Sequence, residues 1–373
     1  MIKFITLKRF KCFEDMMMQL APLTLITGVN GAGKSSVIQA LLILRQSYLD
    51  KKYDISEQLR INGDLTDVSD AASLHNINSD EEDFEIELED ENEVRLNIKA
   101  DTSNIETTAK VEEAGKASLE YATSNWPLFK DNFAYLYSDR GHPQSRYERK
   151  QESITDSRLG DRYGSNTPFC LQTAINTDME VPIKALQKDG KTDVSNNVSE
   201  WFSYILGEDI DISSNEVDKQ NVEISYSFKS KKGEDISMSP VNMAFGNSYV
   251  LPIIVGILTA EKDSLFIVEN PEAHLHPSAQ TRMGEFLSVA AANGIQIIVE
   301  THSDHLINGV RLAVMSQKIN AFDVETNFFT IQNGEHICER VNIDENGVLN
   351  NWPKGFFDEW ENNLIKLAKG RME

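Results

Sequence analysis

Residues 28–35 read Gly28-Val-Asn30-Gly31-Ala32-Gly33-Lys34-Ser35, the G-x-x-x-x-G-K-[ST] spacing of a loop that wraps phosphate. Nothing else in the chain restricts the fold as much, because such a loop works only between the end of a strand and the start of a helix. Both are expected here. Residues 23–27 are a short apolar run closed by a glycine, and the pattern from Ser35 to about Tyr48 is helical and apolar on most faces, which predicts a buried helix. Glycines let the backbone turn its N–H groups onto the phosphates, and the helix N-terminus adds its positive dipole. Asn30, Gly31, Ala32, Gly33, Lys34, Ser35 and Ser36 are therefore the expected nucleotide-binding residues. Lys34 is expected on the β- and γ-phosphates, and the Ser35 hydroxyl on Mg2+.

A loop of this kind needs an acid at the tip of a neighbouring strand to hold the Mg2+ shell. Residues 265–268 are apolar and end in Glu269, followed by Asn270, Pro271 and Glu272. Residues 297–299 form another apolar run, ending in Glu300, Thr301, His302, Ser303 and Asp304. In an open parallel sheet, ligands bind at the carboxyl ends of the strands. Glu269 is the expected Mg2+-side acid, and Glu272, Glu300 and His302 are expected to converge on the same site. The histidines allow a second reading. His274 and His276 with His302 and His305 resemble a metal cluster, whereas the preferred reading keeps His302 neutral against a γ-phosphate or the attacking water. His274 and His276 are then structural or lie at a dimer seam. A Ser303/His302/Asp304 triad fails because adjacent residues rarely point at one another.

The chain has 373 residues, which predicts one large or two coupled lobes. Lys and Arg number 36 against 59 Asp and Glu, a net charge of −23. That excludes bulk binding of polyanions or anionic lipid, so any nucleic-acid contact needs a local basic patch or a partner's surface. No apolar run approaches the roughly 20 residues of a membrane span. The N-terminus alternates like a strand over residues 2–10 and is not a signal peptide. Three dispersed cysteines (Cys12, Cys170, Cys338) exclude a disulfide framework or zinc finger and point to a reducing cytoplasm.

Residues 59–74 are turn-rich. The segment 80–93 holds ten carboxylates. Phe84, Ile86 and Leu88 alternate with these acids, and Val94, Leu96 and Ile98 alternate beyond them, which predicts a half-buried hairpin with Arg95 and Lys99 pairing across it. Residues from about 100 to 240 are more polar and predict an inserted mixed lobe. Within it, 140–162 carries six Arg/Lys against four acids and reads as a solvated loop. Regular alternation then resumes. Helices are expected at 249–260, 278–293 and 304–319, strands at 265–268 and 295–299, and a hairpin turns at Asn333–Gly334. This is the pattern of a mainly parallel sheet covered on both faces. There is no internal repeat and no heptad run long enough for a coiled-coil arm.

Three stretches, LKRFKCFED…LAPLTLITGVNGAGKSS, FIVENPEAHLHP and IVETHSDHL, resemble the ATPase module of SMC/Rad50-like ABC ATPases, closest to the overcoming-lysogenization-defect (OLD) branch. The tail from Asn351 to Asp358 resembles a C-terminal extension found on stand-alone bacterial members. Relatives occur in antiphage defence, including Septu-type ATPases paired with an HNH nuclease. The resemblance covers about 1–75 and 240–373 well and the middle poorly. It implies an α/β P-loop NTPase fold of ABC/SMC-head type, with an antiparallel β region and an inserted lobe. The head would comprise 1–100 and 241–343, the insertion 101–240 and the extension 344–373.

The resemblance also implies roles. His302 would be the switch histidine. Ala244-Phe-Gly246-Asn247-Ser248 would be a degenerate signature, with Gly246 and Ser248 approaching the γ-phosphate on the opposite subunit. Arg9 or Lys11 would lie near the nucleotide, and Gln39 and Gln58 are candidates for a glutamine beside Mg2+. Relatives often carry a second acid after the Mg2+-side acid to polarise water. Here that position is Asn270, which cannot act as a base; Glu272 or Glu300 then takes the role, or turnover is slow. OLD relatives also carry a C-terminal TOPRIM nuclease lobe. About 70 residues follow His302 here and end in a short helix near 356–368, which leaves no room for that lobe.

The function implied is a cytoplasmic, slowly hydrolysing ATPase with ATP and Mg2+ as cofactors. It would form a homodimer around sandwiched ATP, with higher oligomers open to it, and regulate an effector such as an HNH-type nuclease in antiphage defence. Nucleic acid would be met through a partner or a local basic patch, and no membrane would be involved. Three rivals stand beside it: a Rad50-like DNA-handling ATPase, a transporter subunit and a non-hydrolysing nucleotide-gated module.

Overall fold

The computed structural model describes residues 1–50, 54–103, 106–140, 142–148 and 159–369. The N-terminal part gives β1 (Ile2–Phe10), β2 (Phe13–Gln19), β3 (Leu23–Gly28), α1 (Lys34–Leu49), β4 (Gln58–Arg60), β5 (Asp83–Asp90), β6 (Arg95–Asp101) and β7 (Thr108–Ala114). The middle gives α2 (Lys116–Asn125), β8 (Phe133–Leu136), β9 (Tyr147–Glu148), α3 (Thr167–Asn176), α4 (Val194–Leu206), β10 (Asp211–Asp218), β11 (Asn221–Lys229) and β12 (Asp235–Met238). The C-terminal part gives α5 (Phe245–Leu258), β13 (Ser264–Glu269), α6 (Pro277–Ala292), β14 (Ile295–Glu300), α7 (Asp304–Met315), β15 (Val324–Gln332), β16 (Glu335–Val341) and α8 (Glu359–Lys369).

Three sheets follow from these elements. The central sheet has the order β16-β15-β3-β14-β13-β8, parallel from β15 to β8 and antiparallel only at β16. The strand that feeds the phosphate loop, β3, is therefore interior and flanked by β14 and β15. Strands β13 and β14 are buried at every residue, as a parallel sheet covered on both faces requires. The second sheet is antiparallel, β2-β1-β5-β6-β7-β4. It contains the expected acidic hairpin, with Lys99 paired to Asp83 and Arg95 to Glu89. The third is β10-β11-β12 with β9 on β11.

Alternation along the central strands sends side chains into two cores. Leu265, Ile267 and Ile298 join α1 and the inner face of the antiparallel sheet. Phe266, Val268, Ile297 and Val299 join α3 to α7. Helix α1 is thus sandwiched between two sheets, which explains why its apolar residues occupy most of its faces. The sheets are also tied by polar means. The Gln296 amide donates to Ile2 O and accepts from Ile2 N at 2.7 and 3.2 Å, both in the buried interior.

Three expectations need correction. Strands β7 and β8 lie within the span assigned to an insertion, yet they join the sheets of the head; β8 pairs in parallel with β13. The run of four residues at 133–136 is too short to stand out by periodicity, but all four are buried. The basic stretch 140–162 is not simply a solvated loop, because Arg140 is fully buried; residues 141 and 149–158 lie outside the described residues. The helix expected to reach 319 ends at Met315, and the one expected from 249 begins at Phe245. Among the described residues, no helix is long and apolar enough to cross a membrane.

Candidate nucleotide site

The loop after β3 closes on itself. Gly28 has φ +135°, and a Cβ there would sit 2.0 Å from Phe329 O on β15. Gly33, at the start of α1, has φ +108°, and its Cβ would meet the Phe13 ring at 2.3 Å and Cys12 Sγ at 2.7 Å. Only glycine satisfies both the backbone and the space. The Lys34 ammonium, buried, donates to Gly28 O and Val29 O at 3.0 and 2.9 Å. Burial lowers its pKa, opposed by the charge of Glu300. Asn30, Gly31 and Ser35 are exposed, whereas Ala32 and Ser36 are buried. A cavity of about 550 Å3 opens beside the loop, bordered by Gly31, Gly33, Lys34, Ser35 and Ser36 and, on its far wall, by Lys11 and the 73–78 loop.

Strand register brings the acids in from the other side. Glu269 and Glu300 are paired neighbours at the ends of β13 and β14, and both are buried. Burial and then the nearby Glu269 charge push the Glu300 carboxyl up to about 7, against the pull of Lys34. Ser35 Oγ donates toward Glu300 Oε2 at 3.3 Å. Glu269 instead accepts from Tyr135 OH at 2.7 Å, and burial raises its pKa. The acid that reaches the loop serine is Glu300; Glu269, the expected Mg2+-side acid, stands one strand further out because β14 lies between β3 and β13.

Asn270 follows with φ +44°, a left-handed conformation that Asn tolerates better than most residues. Its N–H donates to Glu300 O at 2.7 Å, and its Oδ1 is buried without a hydrogen-bond partner. Glu272 Oε1 accepts from the His302 N–H at 2.8 Å. Glu272 Oε2 is buried with no donor at hydrogen-bonding geometry, and burial raises the pKa of this carboxyl. His302 is open to solvent on one side, and partial desolvation of its ring, then Lys34, lowers its pKa, which favours the neutral imidazole.

The other expected residues are placed as follows. Arg9 is held by Asp83, Glu85 and Glu81 and does not border the cavity; β1 pairs with the acidic strand β5, which captures the guanidinium. Its alternative, Lys11, borders the cavity and bonds Gln39 Oε1 at 2.7 Å. Gln58 lies on β4 at the edge of the antiparallel sheet. Gly246 is buried against the chain's own 274 turn, where a Cβ would come 2.6 Å from His274 O. Ser248 Oγ is buried without a partner. No group of three His, Cys, Asp or Glu among the described residues is arranged to hold a metal. His276 instead caps α6, and His274 packs edge-on against Phe245 and Tyr249. Ser303 caps α7 and donates to Gln280, so no triad forms.

Two supporting residues were not legible beforehand. Tyr135 bonds Glu269, and Arg140 donates to the carbonyls of Glu269 and Asn270. The apolar run 133–136 was the available signal, since a strand there puts the following residues beside β13.

The assembled chemistry suits a Mg2+-bound triphosphate. A hydroxyl and two crowded, buried carboxyls face a loop lined with N–H groups and one ammonium. The Glu269–Glu300 repulsion is what a divalent cation would relieve. Magnesium keeps several waters and takes few protein ligands, so Ser35 with Glu300 and Glu269 would be enough to hold its shell.

A family model described as "AAA domain, putative AbiEii toxin, Type IV TA system" matches residues 23–308. A second, described as "Protein of unknown function (DUF3696)", matches 319–367. The chain is 25% identical over 323 residues to a protein named OLD nuclease from Thermus scotoductus, covering 81% of this chain and 59% of that protein. It thus spans well under two thirds of that relative's length. Among solved structures it is similar to an SMC head bound to the C-terminal winged-helix domain of ScpA, with TM-score 0.56 and 14% identity over 92% of this chain and 98% of that one. It is also similar to a Pyrococcus furiosus Smc head with an extended coiled coil, bound to the C-terminal domain of ScpA, with TM-score 0.54, 13% identity and 99% of each chain covered. These likenesses show the fold.

Proposed function

The chain belongs to the AAA-domain family whose model spans residues 23–308 and is an SMC/OLD-like P-loop ATPase; from that premise we propose that it binds Mg·ATP, hydrolyses it slowly and uses the bound nucleotide to join two copies. The observation that carries this reading is the meeting of Lys34 and Ser35 with Glu300 and Glu269 across neighbouring strand ends. Lys34 exchanges its two loop carbonyls for phosphate oxygens, so the loop gives up no charge pairing on binding. Ser35 and the carboxyls of Glu269 and Glu300 hold the Mg2+ shell. When bound, Mg2+ neutralises the β- and γ-phosphate charge and orients those groups.

Asn270 occupies the position where relatives place a base. Glu272 takes that role on this reading: one oxygen is fixed by the His302 N–H, and the other, buried beside Thr301, would accept the proton once nucleotide and water enter the site. Its pKa, raised by burial, moves toward the range where a carboxylate serves as base near neutral pH. His302 contacts the γ-phosphate as a neutral imidazole. The exposed start of α5, Ala244 and Phe245, faces the nucleotide held by the other copy, with Gly246 and Ser248 buried directly behind it. Hydrolysis then releases the copies, a population shift set by differential affinity. The partner so switched is proposed to be an effector, an HNH-type nuclease, in bacterial antiphage defence. The relative named OLD nuclease supports nucleic acid as the eventual target, reached through that partner.

The test is phosphate release by wild type and by Glu269→Gln, Glu272→Gln and Glu300→Gln. We expect slow turnover that falls further in Glu272→Gln. Wild-type rates in all three would overturn the acid assignments. A second reading, a non-hydrolysing nucleotide-gated module, is favoured by Asn270 alone; prolonged retention of intact ATP with no phosphate release would select it.

A further inference from the structure

We propose that Arg140 is a positioning residue for hydrolysis, which locks the turn carrying Glu269, Asn270 and Glu272 to the second turn of α5. The inference rests on the reading of that turn as the hydrolytic one. Arg140 is 0% exposed, and among the described residues its guanidinium donates to main-chain carbonyls. Its Nη1 donates to Glu269 O at 2.5 Å and Tyr137 O at 2.8 Å, its Nη2 to Asn270 O at 2.8 Å, and its Nε to Tyr249 O at 3.3 Å. Four of the five N–H groups a guanidinium carries are thereby used. Its Cζ also lies over the Tyr249 ring, 5.4 Å from the ring centre.

Burying a cation costs several kcal/mol unless its donors are satisfied, so an apolar side chain would serve simple packing better. What the guanidinium does is specific. In a strand, successive carbonyls point to opposite sides, but the left-handed φ of Asn270 lets the carbonyls of residues 269 and 270 both reach one fork. Their dipoles, turned the same way, repel, and the fork offsets that repulsion. The next residues are then delivered to place Glu272 under the His302 N–H. The third tie, Tyr249 O, belongs to α5. Tyr249 also packs edge-on against His274, 4.7 Å between ring centres, and bonds Asp139 at 3.2 Å. Gly246 closes the same contact from the start of the helix. The start of α5 and the acidic turn are thereby one mechanical unit. A shift imposed on α5 by a neighbouring copy is passed to Glu272 through this buried, four-bond joint.

The test compares Arg140→Lys and Arg140→Met with wild type and Glu272→Gln, measuring ATP Kd and single-turnover hydrolysis on folded protein. A lysine keeps the charge but not the fork. We expect ATP Kd within about twofold of wild type, because the P-loop is untouched, and hydrolysis lowered about tenfold in Arg140→Lys and more in Arg140→Met. In the double variant with Glu272→Gln, Arg140→Lys adds little further loss. A purely structural role would lower thermal stability and leave the rate per folded molecule unchanged; that result in Arg140→Lys overturns the inference. Should Arg140→Met not fold, Arg140→Lys alone decides. Should Glu272→Gln hydrolyse like wild type, the base assignment fails and takes the positioning role with it. Loss in Glu272→Gln with wild-type rates in Arg140→Lys sinks the positioning role alone.

Discussion

The two halves of the site are held in different ways. The loop after β3 takes its shape from eight consecutive residues: Lys34 bonds carbonyls five and six residues back, and Gly28 and Gly33 supply the positive φ; from outside, β15 adds one backbone bond, Val29 N–H to Phe329 O at 3.0 Å. The turn after β13 is held from afar. Tyr135 and Arg140 reach it across more than a hundred residues of chain, and the His302 N–H comes from the next strand. A self-contained loop carries its signature in eight consecutive residues. A turn assembled from three segments carries no such signature, and its chemistry depends on packing. The first half should therefore tolerate changes elsewhere, and the second should not.

The largest effect is expected where the loop is broken. Lys34→Ala should weaken Mg·ATP binding by more than about a hundredfold, read by equilibrium titration, since a charge-assisted phosphate contact is lost. Thermal stability should change little, because the cost of burying the ammonium offsets its two bonds to loop carbonyls. A large fall in stability would show the loop to be less independent than its bonds suggest. Next comes the turn. Glu272→Gln should lower hydrolysis by about a hundredfold or more while leaving ATP Kd unaffected, so that binding and chemistry separate along the two halves; a parallel change in both would merge them.

Gly246→Ala sharpens the contrast in stability. Its Cβ would sit 2.6 Å from His274 O, and we expect a loss of about 2–3 kcal/mol in denaturant unfolding, although the residue is far in sequence from the turn it supports. Gly31→Ala should cost less, about 1–2 kcal/mol, since nothing lies within 4 Å of that position and only its φ of +76° is strained. The pH dependence is subtler. Glu300 is pushed up to about 7 by burial and by Glu269, so the folded state binds a proton that the unfolded state has released. Stability is therefore lost as pH rises from about 4.5 toward about 7. In metal-free protein, Glu300→Gln should be more stable than wild type above pH 7, by roughly 3 kcal/mol at most. The gap should vanish below about pH 4.5. A gap independent of pH would mean that the carboxyl is not crowded.

The legibility of the chain follows the same division. The strand–loop–helix unit from residue 23 to about 48, the acidic hairpin and the alternation beyond 248 were readable because each rests on short-range periodicity or on glycine stereochemistry. The convergence of Glu269, Glu272, Glu300 and His302 was readable as well, since parallel strands bring their carboxyl ends to one edge. Two particulars were not. That Glu300 reaches Ser35 depends on the strand order β3-β14-β13, which no local pattern encodes. That Arg140 is buried depends on β8 joining the central sheet, and a four-residue apolar run surrounded by polar sequence does not announce it. Arg9 failed for a related reason: the partner strand, with its carboxylates, was identifiable as a hairpin but not as the neighbour of β1.

The central claim is that a triphosphate held by Lys34 and Ser35, with magnesium, joins two copies of this chain. Multi-angle light scattering of Glu272→Gln, with and without Mg·ATP, tests it most directly, because slowed hydrolysis preserves the joined state. The account predicts one-chain mass without nucleotide and two-chain mass with it, and no such shift once Lys34→Ala is added. An unchanged mass at saturating nucleotide, with binding confirmed by titration, would contradict it.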